Sequence, residues 1–208
     1  MAVFITGSCE LVYMYKEYVW KIIPKETPCI ENICSRCNNN RFICSDKFRI
    51  NSNKKLSDVW LIYKCSYCEN TWKMSILTRK NLSHIDHHLF RRFQENNIDL
   101  VWYYAFNKSI AKYNKVRLDS NVNVEIVDHQ SGYLHSTESV ISVLITSEYE
   151  LSIPIKKILQ QKLNISVNQL VRLHHEEIIV INGNTNHDLS KKIGFGCRLL
   201  IDCTRWRG

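Results

Sequence analysis

Cys34-Ser35-Arg36-Cys37 and Cys65-Ser66-Tyr67-Cys68 decide how this chain is to be read. The two Cys-x-x-Cys pairs are separated by 27 residues, and the stretch between them reads as strands. Each pair forms a tight turn that aims both sulfurs inward, and the intervening strands return the second turn to the first. Four thiolates around one point are the donor set of a closed tetrahedral zinc site, with no position left open for catalysis. A redox dithiol and an iron–sulfur cluster are the rival readings. A redox Cys-x-x-Cys, however, is normally a single pair at a strand-to-helix step, not two pairs flanking strands. The expectation is one structural Zn²⁺ held by Cys34, Cys37, Cys65 and Cys68 in a zinc ribbon.

The strands of that ribbon follow from residue type. Arg41-Phe42-Ile43-Cys44 and Phe48-Arg49-Ile50 lead to a polar loop, Asn51-Ser52-Asn53-Lys54-Lys55. Asp58-Val59-Trp60-Leu61-Ile62-Tyr63-Lys64 then delivers Cys65, and Thr71 to Ile76 alternates so that Trp72, Met74 and Ile76 share a face. Phe42, Phe48, Trp60 and Trp72 are expected to cover the cysteine turns, and Phe48-Arg49-Ile50-Asn51 with Lys54, Lys55, Trp60 and Tyr63 reads equally as a stacking and phosphate-binding surface. A domain this small buries little surface, so the metal is expected to supply much of its stability. Cys44 reads as core packing rather than a fifth ligand. Cys9, Cys29, Cys197 and Cys203 have no partner spacing and read as buried thiols. The aromatic, β-branched stretch over residues 10–21 is expected to be a strand or hairpin packed on the ribbon.

At Ser83 the pattern changes. Ser83-His84-Ile85-Asp86 resembles a capping box and predicts a helix carrying Ile85, Leu89 and Phe93; a second helix is predicted over Ile98 to Phe106. His84, His87 and His88 on the first of these read as a surface helix start rather than a second metal site. Asn121 to Asp128 alternates like a strand. Further on, Ile153, Ile155, Ile158 and Leu159 form a helical stripe, Ser166 caps a second helix, and Ile178 to Ile181 and Arg198 to Ile201 are strands. Asn182-Gly183 is a hairpin turn signal. His174-His175 sits at a helix C-terminus, where a cation suits the dipole. The fold class expected is α+β: a zinc-ribbon β-domain (1–82), a helical or mixed connecting region (83–150) and a small C-terminal ααβ RNA-binding-like module (151–208).

Composition narrows the function classes. The formal charge of +8 falls to about +6 once four thiolates bind one Zn²⁺. The charge is uneven: residues 1–83 carry 13 Lys+Arg against 7 Asp+Glu, residues 84–150 carry 6 against 9, and residues 151–208 carry 9 against 4. Basic ends suit an anionic partner such as RNA. No stretch is long enough to span a membrane, and Met1 to Gly7 lacks the features of a signal peptide. Nine cysteines in odd number, four of them in two regular pairs, favour metal in a reducing compartment, so the expected location is cytoplasmic. No nucleophile elbow, phosphate loop or dinucleotide fingerprint is present, so neither catalysis nor a small-molecule cofactor is expected.

The C-terminal stretch resembles the RNA-binding alpha-L module first described in small-subunit ribosomal protein four. The residues that carry the resemblance are Ile155-Lys156-Lys157-Ile158-Leu159, Ser166-Val167-Asn168-Gln169, Val180-Ile181-Asn182-Gly183, and Gly196 with Leu199 to Ile201. Val167, Glu177 and Pro154 depart from the family, which usually has Arg, Gly and Arg there. The resemblance implies an RNA surface drawn from Lys156, Lys157, Lys162, Arg172, His174 and His175. Phe48-Arg49-Ile50-Asn51-Ser52-Asn53 and Asp58 to Cys65 are similar to a bacterial family, domain-of-unknown-function family 1062, over most of the chain; that family brings no established activity. The function expected is a non-catalytic zinc-ribbon protein that binds structured or ribosomal RNA mainly through phosphates. Arg49, Lys54 and Lys55 on the ribbon act beside Lys156, Lys157, Lys162 and Arg172. The alternative is a protein-interaction adaptor in which the ribbon and the modified module serve as scaffolds.

Overall fold

The computed structural model describes residues 16–130, 139–182 and 188–206. Residues 10–15 of the expected N-terminal strand, Met1 to Gly7, Cys9 and Gly183 of the hairpin signal lie outside them.

Among the described residues, ten strands form two five-stranded sheets. In chain order they are β1 (Lys16–Pro24), β2 (Ile30–Glu31), β3 (Arg41–Asn53), β4 (Leu56–Cys65), β5 (Thr71–Asn81), β6 (Arg117–Leu118), β7 (Val124–Gln130), β8 (Val140–Pro154), β9 (Ile179–Ile181) and β10 (Lys192–Asp202). The first sheet has the order β5-β4-β3-β2-β6 and the second β7-β1-β8-β10-β9. Every pairing in the first sheet is antiparallel. In the second, β1 and β8 run parallel and the other pairs antiparallel.

This overturns the expected α+β arrangement of ribbon, helical connector and ααβ module. The helical or mixed segment 83–150 carries three short helices, α1 (His87–Gln94), α2 (Ile98–Ala105) and α3 (Lys108–Tyr113), and the strand expected at Asn121–Asp128 appears as β7. It also supplies β6 to the first sheet, and β7 and most of β8 to the second. The C-terminal helices α4 (Ile155–Leu163) and α5 (Val167–His175) and strands β9 and β10 exist, but their sheet continues through β8 into β1 and β7. They are part of a larger layer rather than a module of their own. The physical reason is that Val140 to Pro154 is rich in β-branched residues whose partners lie far away in sequence, so no hairpin signal marks it. Likewise β1 does not pack on the cysteine-bearing sheet. It sits between β7 and β8, with Trp20 and Ile22 in the second core.

Local rules explain the boundaries. The N-cap of α1 is Asp86, whose side chain accepts from Leu89 N at 2.8 Å; Ser83 falls inside a single 3-10 turn (Leu82–His84) instead. Asn97 and Asn107 cap α2 and α3 in the same way. Ser166 caps α5 as expected, in a full capping box with Gln169. Pro154 ends β8 and offers no side-chain cap, but the first N–H groups of α4, Ile155 and Lys156, donate to the carbonyls of Lys191 and Leu189. The helix α2 joins the two halves: Val101 and Ala105 enter the core under the first sheet, while Phe106 belongs to the core of the second and Trp102 packs against both.

Candidate metal centre and the face of the sheet above it

The four expected ligands come together. Cys34 and Cys37 lie in the connection between β2 and β3; Cys65 closes β4, and Cys68 precedes β5. The ligand sulfurs all lie within 4.8 Å of one another, with Cys34 Sγ to Cys68 Sγ at 3.6 Å and Cys37 Sγ to Cys65 Sγ at 3.5 Å. Four thiolates about 2.3 Å from a tetrahedral zinc would be separated by roughly 3.8 Å, so the cluster fits such an ion with little adjustment.

Both turns are built the same way. Asn38 N–H donates to the Cys34 carbonyl at 2.9 Å and Glu69 N–H to the Cys65 carbonyl at 3.0 Å. Cys34 N–H donates to Asn39 O at 2.8 Å and Cys65 N–H to Asn70 O at 2.9 Å. Asn38 and Glu69 both take left-handed backbone, φ 60° and 58°, which reverses the chain just past each second cysteine. The turns then hold each other. Asn39 Nδ2 donates to Ser66 Oγ at 2.9 Å, and Asn70 Nδ2 reaches Ser35 Oγ at 3.5 Å and Cys34 Sγ at 3.7 Å. These four supporting residues escaped the sequence reading. Their signal was a repeated hexamer, Cys-Ser-x-Cys-x-Asn, at residues 34–39 and 65–70. Such partners orient ligands and hold them ready for a metal.

The cluster also prepares its own charge. Burial resists ionisation of Cys34, but the backbone N–H groups of Arg36 and Cys37, with the thiols of Cys68 and Cys37, outweigh it and bring it down to about 6. Cys65 is lowered in the same manner: desolvation is outweighed by the N–H groups of Cys68 and Tyr67 and by neighbouring thiols. Cys37 goes the other way. The N–H of Asn39 favours its thiolate, yet desolvation and the sulfurs of Cys68, Cys65 and Cys34 push it up to about 12. The turns stabilise the first negative charges, and full ionisation of the set calls for a cation at its centre. Cys44 stands apart from this set; burial pushes it up to about 12, as befits a core thiol. Burial likewise raises Cys197, to about 11.

The first sheet has two different faces. Helices α1 to α3 pack on the one that carries Phe42, Val59, Leu61, Tyr63 and Met74. Trp60, read both as core and as part of a stacking surface, points away from that core, because β4 alternates strictly and Val59 and Leu61 take the inward positions; Tyr63, named for the same surface, is buried with them. Its cross-strand neighbours are Arg49 on β3 and Ser75 on β5, and Ile62 pairs with Lys73. The Lys73 ammonium lies over the Trp60 ring, 5.4 Å from its centroid. Lys64 extends the row and reaches Glu69 at 3.8 Å with both side chains exposed, a weak pair. Lys64 and Lys73 were not singled out in the sequence; period-two alternation along β4 and β5 would have found them.

The remaining candidates scatter. Lys54 and Lys55 form the turn between β3 and β4, at the end of the hairpin away from the cysteines. Lys162 is committed internally, 2.6 Å from Asp128 and 5.6 Å above the Trp20 ring. Lys157 contacts Asn121 at 3.5 Å, and Arg172 lies 3.9 Å from Glu176. Lys156 makes no ion pair with a described residue. His84, His87 and His88 are exposed, and among the described residues the four cysteines are the one group of three or more side chains placed to hold a metal. No described helix is long and apolar enough to cross a membrane.

Fold and site together define a two-sheet protein with a four-cysteine centre able to hold a metal ion. The chain belongs to the family described as "Protein of unknown function (DUF1062)", whose model matches residues 50–185, a span that contains the second cysteine pair and ends before Gly196. No curated protein and no solved structure matches the chain.

Proposed function

We propose that this is a non-catalytic protein that binds RNA on the open face of a zinc-clamped sheet. The observation that carries the reading is the set of Arg49, Lys64 and Lys73 around Trp60 on a face that no described helix covers. Cations at this spacing neutralise phosphates, and an indole among them accepts a stacked base. Zn²⁺ suits the donor set, since four thiolates at tetrahedral spacing and a closed shell are its structural preference. The ion would hold the turns that fix β3, β4 and β5 in register, and would leave the chemistry of binding to the side chains above. The C-terminal lysines supply a weaker contribution, because Lys162 and Lys157 already have partners.

The test is retention of total cellular RNA at two salt concentrations. Wild type is retained at low salt and released at high salt. Arg49→Glu combined with Lys73→Glu loses retention, while Lys156→Glu combined with Lys157→Glu keeps most of it. A wild type that fails to hold RNA at low salt refutes the reading. A protein-interaction adaptor is the second reading, favoured by Ile33 and Tyr67, which stand 73% and 81% exposed on the two cysteine turns. Loss of a protein partner on Tyr67→Ala with RNA retention unchanged would decide for it.

A further inference from the structure

The two halves meet along α2, and a cleft of about 300 Å³ opens there. Its walls come from both halves: Ile98, Asp99 and Trp102 from α2, Lys21 to Pro24 from β1, and Glu148 and Tyr149 from β8. Tyr149 stacks on Phe106 at 4.7 Å and lies 5.8 Å from Trp102, so the aromatic wall is held from behind. Asp99 and Glu148 make no ion pair or hydrogen bond with a described residue. Burial first, and then the charges of Glu148 and Asp99, raise the Tyr149 hydroxyl above its ordinary range, which places both carboxylates within electrostatic reach of that ring.

A neighbouring cleft gives the contrast. It shares Glu148 and Tyr149 and is lined as well by Phe106, Lys108, Glu150 and Phe195. There the carboxylate of Glu150 is already neutralised by Lys108 at 2.9 Å. The first cleft has two carboxylates against one lysine, Lys21, beside two aromatic rings and the apolar surfaces of Ile23, Pro24 and Ile98. Carboxylates satisfy the charge of an ammonium or guanidinium, aromatic faces attract it further, and the apolar surfaces take a hydrocarbon body. We propose that this cleft binds a small organic monocation, a single ammonium or guanidinium on an apolar body, with its charge at Asp99 and Glu148 and its body against Trp102, Tyr149 and Ile98. The site stands apart from the RNA face and does not depend on it.

The test uses the full-length, metal-loaded protein and two probes of one shape, 2-phenylethylamine and the neutral 2-phenylethanol, followed by the indole N–H resonance of Trp102. The amine shifts that resonance saturably, and the alcohol binds at least about tenfold more weakly. Glu148→Gln and Asp99→Asn each weaken the amine by a similar factor, whereas Glu150→Gln leaves it unchanged. Equal binding of the alcohol overturns the proposal, as does wild-type affinity in both carboxamide variants, or the lack of a saturable shift at millimolar amine. Metal content and circular dichroism equal to wild type establish that the variants are folded.

Discussion

The two sheets have the same number of strands and are held by different means. The first is nearly local: β2 to β5 lie within residues 30–81, and a short return strand, β6, closes its edge. Its main core contains twelve buried residues, three of them cysteines, and draws Val101, Ala105 and Ala111 from the helices beneath. The second sheet takes strands from positions 16 to 202 and buries nineteen residues, mostly isoleucine and leucine, between its strands and α4 and α5. Apolar burial contributes about 25 cal/mol per Å², so the second sheet's larger apolar core gives it more packing stability than the described cores of the first, even with Val59, Phe93 and Leu100 added. The first, with the thinner core, has its turns closed by sulfur. The lesson is that the cysteine centre clamps the sheet that hydrophobic burial serves least.

Breaking the clamp therefore has the largest expected effect. Cys65→Ser removes one sulfur from the set and leaves three, and it should abolish stoichiometric metal binding and unfold β3 to β5. Hydrogen exchange is the measurement: amides of β3, β4 and β5 lose protection, while those of β8 and β10 keep most of theirs. Full protection of β4 in a metal-free variant would refute the division of labour between the sheets.

The second sheet should break through its backbone. Gly196 has φ 144° and sits at a register shift of β10 against β8, where a Cβ would run into the carbonyl oxygen of Ile145. Backbone cannot give way as a side-chain tip can, so Gly196→Ala should cost more than about 2 kcal/mol. Gly194, two residues earlier, has φ 61° with open space around its Cα, so Gly194→Ala carries the left-handed penalty alone, about 1 kcal/mol. Urea unfolding measures both. Metal stoichiometry should stay at the wild-type value in each, since both glycines lie on β10 of the second sheet.

What the sequence revealed follows the same division. The cysteine turns, the strands on either side of them and the alternation of β5 were legible because each signal lies within a few residues of its consequence. Residue type alone left Trp60 between core cover and a stacking surface shared with Tyr63; strict alternation from Val59 and Leu61 turns Trp60 outward and buries Tyr63. In the second sheet, α4, α5, β9 and β10 were legible one by one, yet their assembly was not. Nothing local in Lys16 to Pro24 states that it lies parallel to residues 140–154, with Ile22 paired to Ser147. The larger cleft at α2 was invisible for the same reason, because its walls come from β1, α2 and β8 and exist only after the halves meet.

Helix caps give the smallest effect and the finest test of that difference. Ser166 was readable as an N-cap because both halves of its box are present: its hydroxyl accepts from Gln169 N at 3.2 Å and its own N–H donates to Gln169 Oε1 at 2.8 Å. Ser83 offers the same residue type with Asp86 three positions on, and there the residue that caps is Asp86. A cap serine or aspartate replaced by alanine costs about 1 kcal/mol, so Ser166→Ala and Asp86→Ala should each lower stability by that amount. Ser83→Ala should cost less than about 0.5 kcal/mol, because its hydroxyl makes only a solvent-exposed hydrogen bond to Asn81 Oδ1 and caps no helix. Denaturant midpoints at constant slope distinguish the three. The Ser166 loss should register in the protection of α5 and β9 and the Asp86 loss in that of α1, each within the half its helix packs against. A Ser83→Ala loss as large as that of Asp86→Ala would return the cap to the position the residue pattern first suggested.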